Sequence, residues 1–347
     1  MSESNIKKVV VTGGAGYIGS HTVVELVSAG YHPIILDNFV NSSPTVLSGL
    51  EEILGKTTTF YEGDVCNKEF LNDVFVKEKD IFGAIHFAAF KAVGESVEKP
   101  LSYYRNNLES TLSLMETMKK FGCYNLVFSS SCTVYGAADH LPVTEESPRK
   151  EAESPYGNTK QICEDIIRDT VKSPDKLNAV SLRYFNPIGA HPSAKIGELP
   201  IGVPANLVPF ITQTAAGIRE CLTVFGDDYD TTDGSCIRDY IHVRDLANAH
   251  VKAVEFLENN QEDNLYETFN VGVGKGATVL EVIKEFESVS GVKLNYKIGP
   301  RRSGDIEKIW ADTTKSNKLL NWKAEKTLSQ ALEDAWRWQQ NLKTDNL

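Results

Sequence analysis

The 347-residue chain predicts an α/β fold: a doubly wound parallel sheet followed by a smaller C-terminal α/β part. Three observations carry this. Through residue 185, short β-rich runs alternate with longer helical patterns, which implies a parallel sheet covered by helices on both faces. The opening strand passes through closely spaced glycines straight into a helix. Past Asn186 the alternation gives way to a loop-rich stretch punctuated by Pro187, Pro192, Pro200, Pro204 and Pro209.

Taken in order, "KKVVVTG" is an apolar, β-branched strand, and "GSHTVVELVSAG" is a helix that stops at Gly30. "HPIILDN" is the second strand. A polar loop and a helix lead to the strand "TTTFYEGDV", the helix "KEFLNDVFVKEK" and the strand "GAIHFAA". A long helical pattern runs from Leu101 to Lys120 and precedes "YNLVFSSS". "SPYGNTK" then starts a helix, with serine and proline as the start signal and Ile162, Ile166 and Ile167 continuing the period. "NAVSLRYFN" is the next strand. "RDYIHVRDLANAHVKAVEFL", within residues 236–260, is expected to return to the first part as a strand and helix. Residues 1–185 with that return form one expected domain and 186–347 the other.

The net charge of -11 argues against a nucleic-acid or acidic-membrane surface as main partner, and 41% hydrophobic residues suffice for a sizeable core. The six cysteines form no C-x-x-C pair and no metal-ligand spacing with histidine, so no metal is expected and the thiols read as reduced, as in cytoplasm. "MSESNIKK" has no charged-then-apolar targeting pattern, and no apolar run approaches membrane-spanning length.

"VTGGAGYIGSH" holds Gly13, Gly16 and Gly19 in G-x-x-G-x-x-G, with G-x-G-x-x-G starting at Gly14. Such glycines permit a tight turn, close approach to a pyrophosphate and close strand–helix packing, while the helix N-terminus supplies donors to the phosphates. Asp37 lies eighteen residues after Gly19 at the end of the second strand, where a carboxylate accepts from a ribose diol and repels a 2′-phosphate. This is a Rossmann pattern, and it points to NAD.

NAD gives Tyr156 and Lys160 a task. Their i, i+4 spacing puts phenol and ammonium on one helix face. Hydride leaves a carbinol carbon only as the hydroxyl proton is removed, yet an unperturbed tyrosine, with pKa about 10, is only about one-thousandth ionised at pH 7. Lys160 and a positive nicotinamide are expected to lower that pKa. Ser129, Ser130 and Ser131, at a strand end, offer a hydroxyl to hold the substrate.

Together with "KAVGESVEKPLSYYRNN", "LRYFNPIGAHPS", "FGDDYDTTDGSCIRDYIHV" and "RRSGDIEKIWAD", these motifs resemble the UDP-glucose 4-epimerase family of the extended short-chain dehydrogenase/reductase superfamily, from about residue 7 to 340. The resemblance implies Tyr156 as base, Lys160 as its activator and Ser131 as the hydroxyl-holding serine. For NAD it implies Gly13, Gly16, Tyr17, Ile18 and Gly19, then Asp37, Asn38, Asp64 and Val65. Phe87, Ala88, Lys91, Asn106, Ser129, Tyr156 and Lys160 complete that set, with Tyr184 beside the nicotinamide. For a UDP-sugar it implies Lys91, Ser131, Tyr156, Phe185, Asn186, Asn206, Leu207 and Thr223. Phe225, Arg238, Tyr240, Val279, Arg302, Asp305 and Ile309 belong to the same set. Ile309 stands where a tyrosine would exclude N-acetyl sugars and a smaller residue would admit them. The resemblance further implies interconversion of UDP-galactose and UDP-glucose in galactose metabolism, and a homodimer built on the helices of Leu101–Lys120 and Tyr156–Thr170. A 4,6-dehydratase would need an acid and a base at Cys132 and Thr133, and neither side chain serves. A plain alcohol dehydrogenase and a non-catalytic redox sensor share the fold, but the complete serine, tyrosine and lysine set disfavours the sensor.

Overall fold

The computed structural model describes residues 6–260, 262–302 and 306–344. Strands β1 (Lys8–Thr12), β2 (His32–Asp37), β3 (Thr59–Glu62), β4 (Ile81–His86), β5 (Asn125–Ser129) and β6 (Asn178–Tyr184) alternate with helices. The helices are α1 (Tyr17–Ser28), α2 (Thr45–Leu54), α3 (Lys68–Glu78), α4 (Val93–Glu98), α5 (Pro100–Lys120) and α6 (Pro155–Val171). After β6 come β7 (Asn186–Ile188), α7 (Leu207–Ala215), β8 (Leu222–Phe225), β9 (Ile237–Arg238), β10 (Tyr240–His242) and α8 (Val243–Asn259). The chain finishes with β11 (Tyr266–Val271), β12 (Ala277–Thr278), α9 (Val279–Ser290), β13 (Tyr296–Gly299), β14 (Lys308–Ile309), α10 (Thr314–Leu319) and α11 (Leu328–Thr344).

Seven strands form one parallel sheet in the order β11-β6-β5-β4-β1-β2-β3. The central strands β1 and β2 are buried on both faces, so they read as unbroken apolar runs: Val9, Val10 and Val11 are all fully buried, as are Ile34, Ile35 and Leu36. Alternate residues serve opposite cores. Val9, Val11 and Ile35 pack with residues of α1 and α8, whereas Val10, Ile34 and Leu36 pack with residues of α3, α5 and α6. A third core joins α7, α9 and α11 around Ile211, Ile283, Phe286 and Leu332.

The return to the sheet differs from expectation in its strand. Helix α8 does pack on the large sheet's core. The strands before it do not join that sheet: β10 pairs with β7, and β9 with β12 and β14. The seventh strand is β11, beside β6. Only the long-range pairing distinguishes β11, because its sequence "YETFNV" is no more strand-like than "YIH".

Strand order reverses between β1 and β4, so a crevice opens at the carboxyl ends of the strands there. Asp37 ends β2, Phe87 and Ala88 follow β4, Ser129 ends β5 and Tyr184 ends β6.

Candidate active site

A cleft of about 1260 Å³ runs from the glycine loop across the carboxyl ends of the strands to α7, β8 and β14. One small ligand usually occupies about 300–1,000 Å³, so this cleft has room for two ligands end to end. Of the residues expected at the cofactor, Gly13, Gly16, Tyr17, Ile18, Gly19, Asp37, Asn38, Asp64 and Val65 line it. So do Phe87, Ala88, Lys91, Asn106, Tyr156, Lys160 and Tyr184. Toward the other end stand Asn186, Asn206, Leu207, Thr223, Phe225, Arg238, Tyr240, Val279, Arg302 and Ile309. Ser129, Ser131 and Phe185 are buried next to these residues, 1%, 6% and 4% exposed, and Ser131 hydrogen-bonds the Tyr156 phenol. Asp305 lies outside the described residues.

The glycine loop is shaped for a group that needs bare backbone. Gly13 has φ +68°, and a Cβ there would stand 2.9 Å from Ala88 N. At Gly19 a Cβ would stand 2.3 Å from Gly13 O. Gly16 caps α1 with no side chain in the way, leaving the helix N-terminus open to phosphate. Asp37 steadies this loop: Oδ2 accepts from Ala15 N (3.0 Å), and Oδ1 accepts from Phe39 N and Ser42 Oγ (both 2.9 Å). A carboxylate has about four lone-pair sites, so acceptor capacity remains for a ribose hydroxyl. These residues fit a dinucleotide.

Helix α6 starts at Ser154, whose Oγ accepts from Gly157 N, with Pro155 in the first turn. It delivers Tyr156 (8% exposed) and Lys160 (4% exposed) to one buried face. Lys160 Nζ donates to Ser129 O at 2.8 Å and lies 5.9 Å from the centre of the Tyr156 ring. Burial pushes the Lys160 pKa down to about 8. In the protein by itself, burial, with Tyr184 adding to it, raises the phenol pKa well above the usual 10, and hydrogen bonding to Ser131 only partly counters this. The protein by itself therefore holds Tyr156 protonated. Desolvation of the phenolate is the largest effect on it.

At the far end, Phe225 is an exposed aromatic with the Arg302 guanidinium 5.7 Å from its ring centre. Arg238 Nη1 donates to Ile237 O at 2.8 Å. Its neighbour Asp239 is buried and accepts from the backbone N–H groups of Val273, Gly274 and Ala311, tying three segments beneath the cleft. Ile309 is 2% exposed and packs with Phe185, Val134 and Val143.

Glu198 escaped the sequence reading, and Thr133 entered it as a position that a dehydratase would use. Glu198 projects into the cleft from the proline-rich loop, accepts from Asn206 Nδ2 (2.6 Å) and lies 3.7 Å from Lys91 Nζ; burial raises its pKa. Thr133 Oγ1 is buried without a hydrogen-bond partner beside the same cleft. Glu198 belongs to no recognisable motif. The Cys132 thiol is pushed up to about 12 by burial and is no proton donor or nucleophile near neutral pH.

A family model described as GDP-mannose 4,6 dehydratase matches residues 10–335. The chain is 49% identical to a UDP-glucose 4-epimerase of Haemophilus influenzae over 333 residues, covering 96% of this chain and 97% of the relative. It is 50% identical to that of Bacillus subtilis over 331 residues, covering 95% and 96%. The chain belongs to the UDP-glucose 4-epimerase family. Solved members share its architecture. The epimerase of Stenotrophomonas maltophila with bound NAD and formylated UDP-arabinopyranose superposes with a TM-score of 0.94 at 43% identity, over 98% of this chain and 99% of that one. The Bifidobacterium longum epimerase with NAD+ and UDP gives 0.92 at 46% identity, over 96% and 98%. Among the described residues, no helix is long and apolar enough to cross a membrane.

Proposed function

We propose that this member of the UDP-glucose 4-epimerase family interconverts UDP-galactose and UDP-glucose through a 4-keto sugar, using tightly held NAD. One observation carries the reading: Tyr156 and Lys160 line the same cleft as a dinucleotide cradle and as a set of arginines and aromatic rings, Arg238, Arg302, Phe225 and Tyr240. NAD held by the glycine loop and Asp37 would supply the redox chemistry, as acceptor and donor of hydride at carbon 4 of the sugar. Tyr156 takes the 4′-hydroxyl proton and later gives it back. Because the buried phenol resists ionisation, the Lys160 cation is needed to support the phenolate as it forms. Ser131 orients the hydroxyl through its place beside the phenol. Asp37 selects a free ribose diol, Arg238 and Arg302 hold the diphosphate, and Phe225 and Tyr240 cover the uracil.

The residues lining the cleft away from the glycine loop anchor UDP while the keto sugar turns over between faces. Isoleucine at 309 leaves room for an N-acetyl group, so UDP-GlcNAc and UDP-GalNAc are slower second substrates. The outer faces of α5 and α6 carry a homodimer contact, supported by exposed Leu101 and Leu112. Six free cysteines favour a cytoplasmic setting. The decisive experiment supplies UDP-galactose to the purified protein with no added cofactor and follows UDP-glucose. A strict need for fresh NAD in every cycle, or no product at all, overturns the proposal.

A further inference from the structure

Along the buried face of α6, Tyr156, Lys160 and Glu164 recur one turn apart, and each meets a different residue of the serine run. Lys160 holds the Ser129 carbonyl, and Ser131 is the hydrogen-bonding neighbour of the Tyr156 phenol. Between them, Ser130 Oγ donates to Glu164 Oε1 at 2.6 Å. Glu164 is 1% exposed and is gripped from the sheet by Arg183 of β6, with Nε to Oε1 at 2.9 Å and Nη2 to Oε2 at 2.7 Å. Arg183 Nη1 reaches the Tyr135 hydroxyl at 3.1 Å, which donates to Asn270 Oδ1 of β11 at 2.6 Å. A second cation, Arg149, stands 3.7 Å from Glu164 Oε2. One polar network thus joins α6, β6, β11 and the end of β5.

Ser130, Glu164, Arg183, Tyr135 and Asn270 all stand outside the cleft lining. A buried ion pair gives little net stability over apolar side chains of the same volume, so stability alone does not account for this one. Its geometric effect is specific. Ser130 is the link between β5 and the short 3-10 turn Cys132–Tyr135; its N–H is shared between Phe128 O and Leu182 O, and its side chain is held by Glu164. A shift of Ser130 would move Ser131 away from the phenol.

We infer that Glu164 and Arg183 are positioning residues for epimerisation, acting through Ser130 to set where the Ser131 hydroxyl stands against Tyr156. This rests on the reading that Ser131 and Tyr156 act at the sugar 4′-hydroxyl.

Three variants test it, each assayed for UDP-galactose turnover, NAD content and melting temperature. Ser130→Ala removes one hydroxyl and leaves Glu164 paired with Arg183. The double change E164L/R183M replaces the pair with apolar side chains, and Arg149 keeps Asp165 as its partner, so no charge is orphaned. The double change E164Q/R183M restores an acceptor for Ser130 without any charge. Ser130→Ala and E164L/R183M are expected to lose about 10- to 100-fold in kcat at near-constant KM, NAD content and melting temperature, the scale of a small misplacement at a reacting centre. E164Q/R183M should recover most of that loss. Wild-type kcat in Ser130→Ala overturns the inference, and so does a rescue variant as slow as E164L/R183M. If E164L/R183M fails to fold, Ser130→Ala decides alone. A wild type that does not epimerise sinks the functional reading itself, whereas an active wild type with unaffected variants sinks only the positioning role.

Discussion

Replacing Lys160 with methionine should separate stability from catalysis. The ammonium is 4% exposed, and its pKa falls from the ordinary 10.5 to about 8. At about 1.4 kcal/mol per pKa unit, burying the charged form costs about 3 kcal/mol. Methionine removes that cost but leaves the Ser129 carbonyl without its donor, a loss of about 1–3 kcal/mol. The stem length is similar and the apolar contact with Phe128 survives. At pH 7 the variant should therefore be as stable as the wild type or more stable, by up to about 2 kcal/mol. The balance then changes with pH. Between pH 8 and 10.5 the unfolded chain keeps the lysine proton and the folded chain does not, so wild-type stability rises through that window. Above it only the lost hydrogen bond remains, and the variant should be the less stable, by about 1–3 kcal/mol. Urea unfolding of both proteins at pH 7 and near the upper end of that window, with saturating NAD, measures the crossing. Meanwhile UDP-galactose turnover should fall by at least about 100-fold at pH 7, with the residual rate rising with pH as the phenol ionises unaided. A variant that is less stable at pH 7 by more than about 2 kcal/mol, with no pH-dependent reversal, would refute the claim that Lys160 is a strained buried cation.

Tyr156→Phe should keep fold and NAD but lose about 10²–10⁴ in kcat, the usual contribution of a positioned base; near-normal epimerisation would remove Tyr156 from that role. Gly19→Ala places a Cβ 2.3 Å from Gly13 O, so the loop must open; NAD should be found in the denatured supernatant of the wild type and be largely missing from that of the variant. Ile309→Tyr should abolish UDP-GlcNAc turnover while sparing UDP-galactose, read by product chromatography with each sugar. Equal loss of both would make the position structural, in keeping with its packing against Phe185 and Val143.

Much of this protein follows from local pattern. The run Val9–Val11, the glycines after it and Asp37 at the end of β2 announce a parallel sheet and its dinucleotide cradle, because tight turns and doubly buried strands constrain residue type position by position. The i, i+4 spacing of Tyr156 and Lys160 likewise needs nothing beyond helix geometry. Tertiary structure decided what depends on distant partners. It chose β11 as the seventh strand over the segment before α8, since strand pairing is settled by long-range burial more than by local propensity. It placed Glu198 in the cleft from a loop with no motif, and buried Ser131 against the Tyr156 phenol. It also buried the Tyr156 phenol, which raises its pKa in the protein by itself. A spacing shows that a cation is near a phenol, but only the packed interior shows that desolvation is the largest effect and that the cation is already held by Ser129 O.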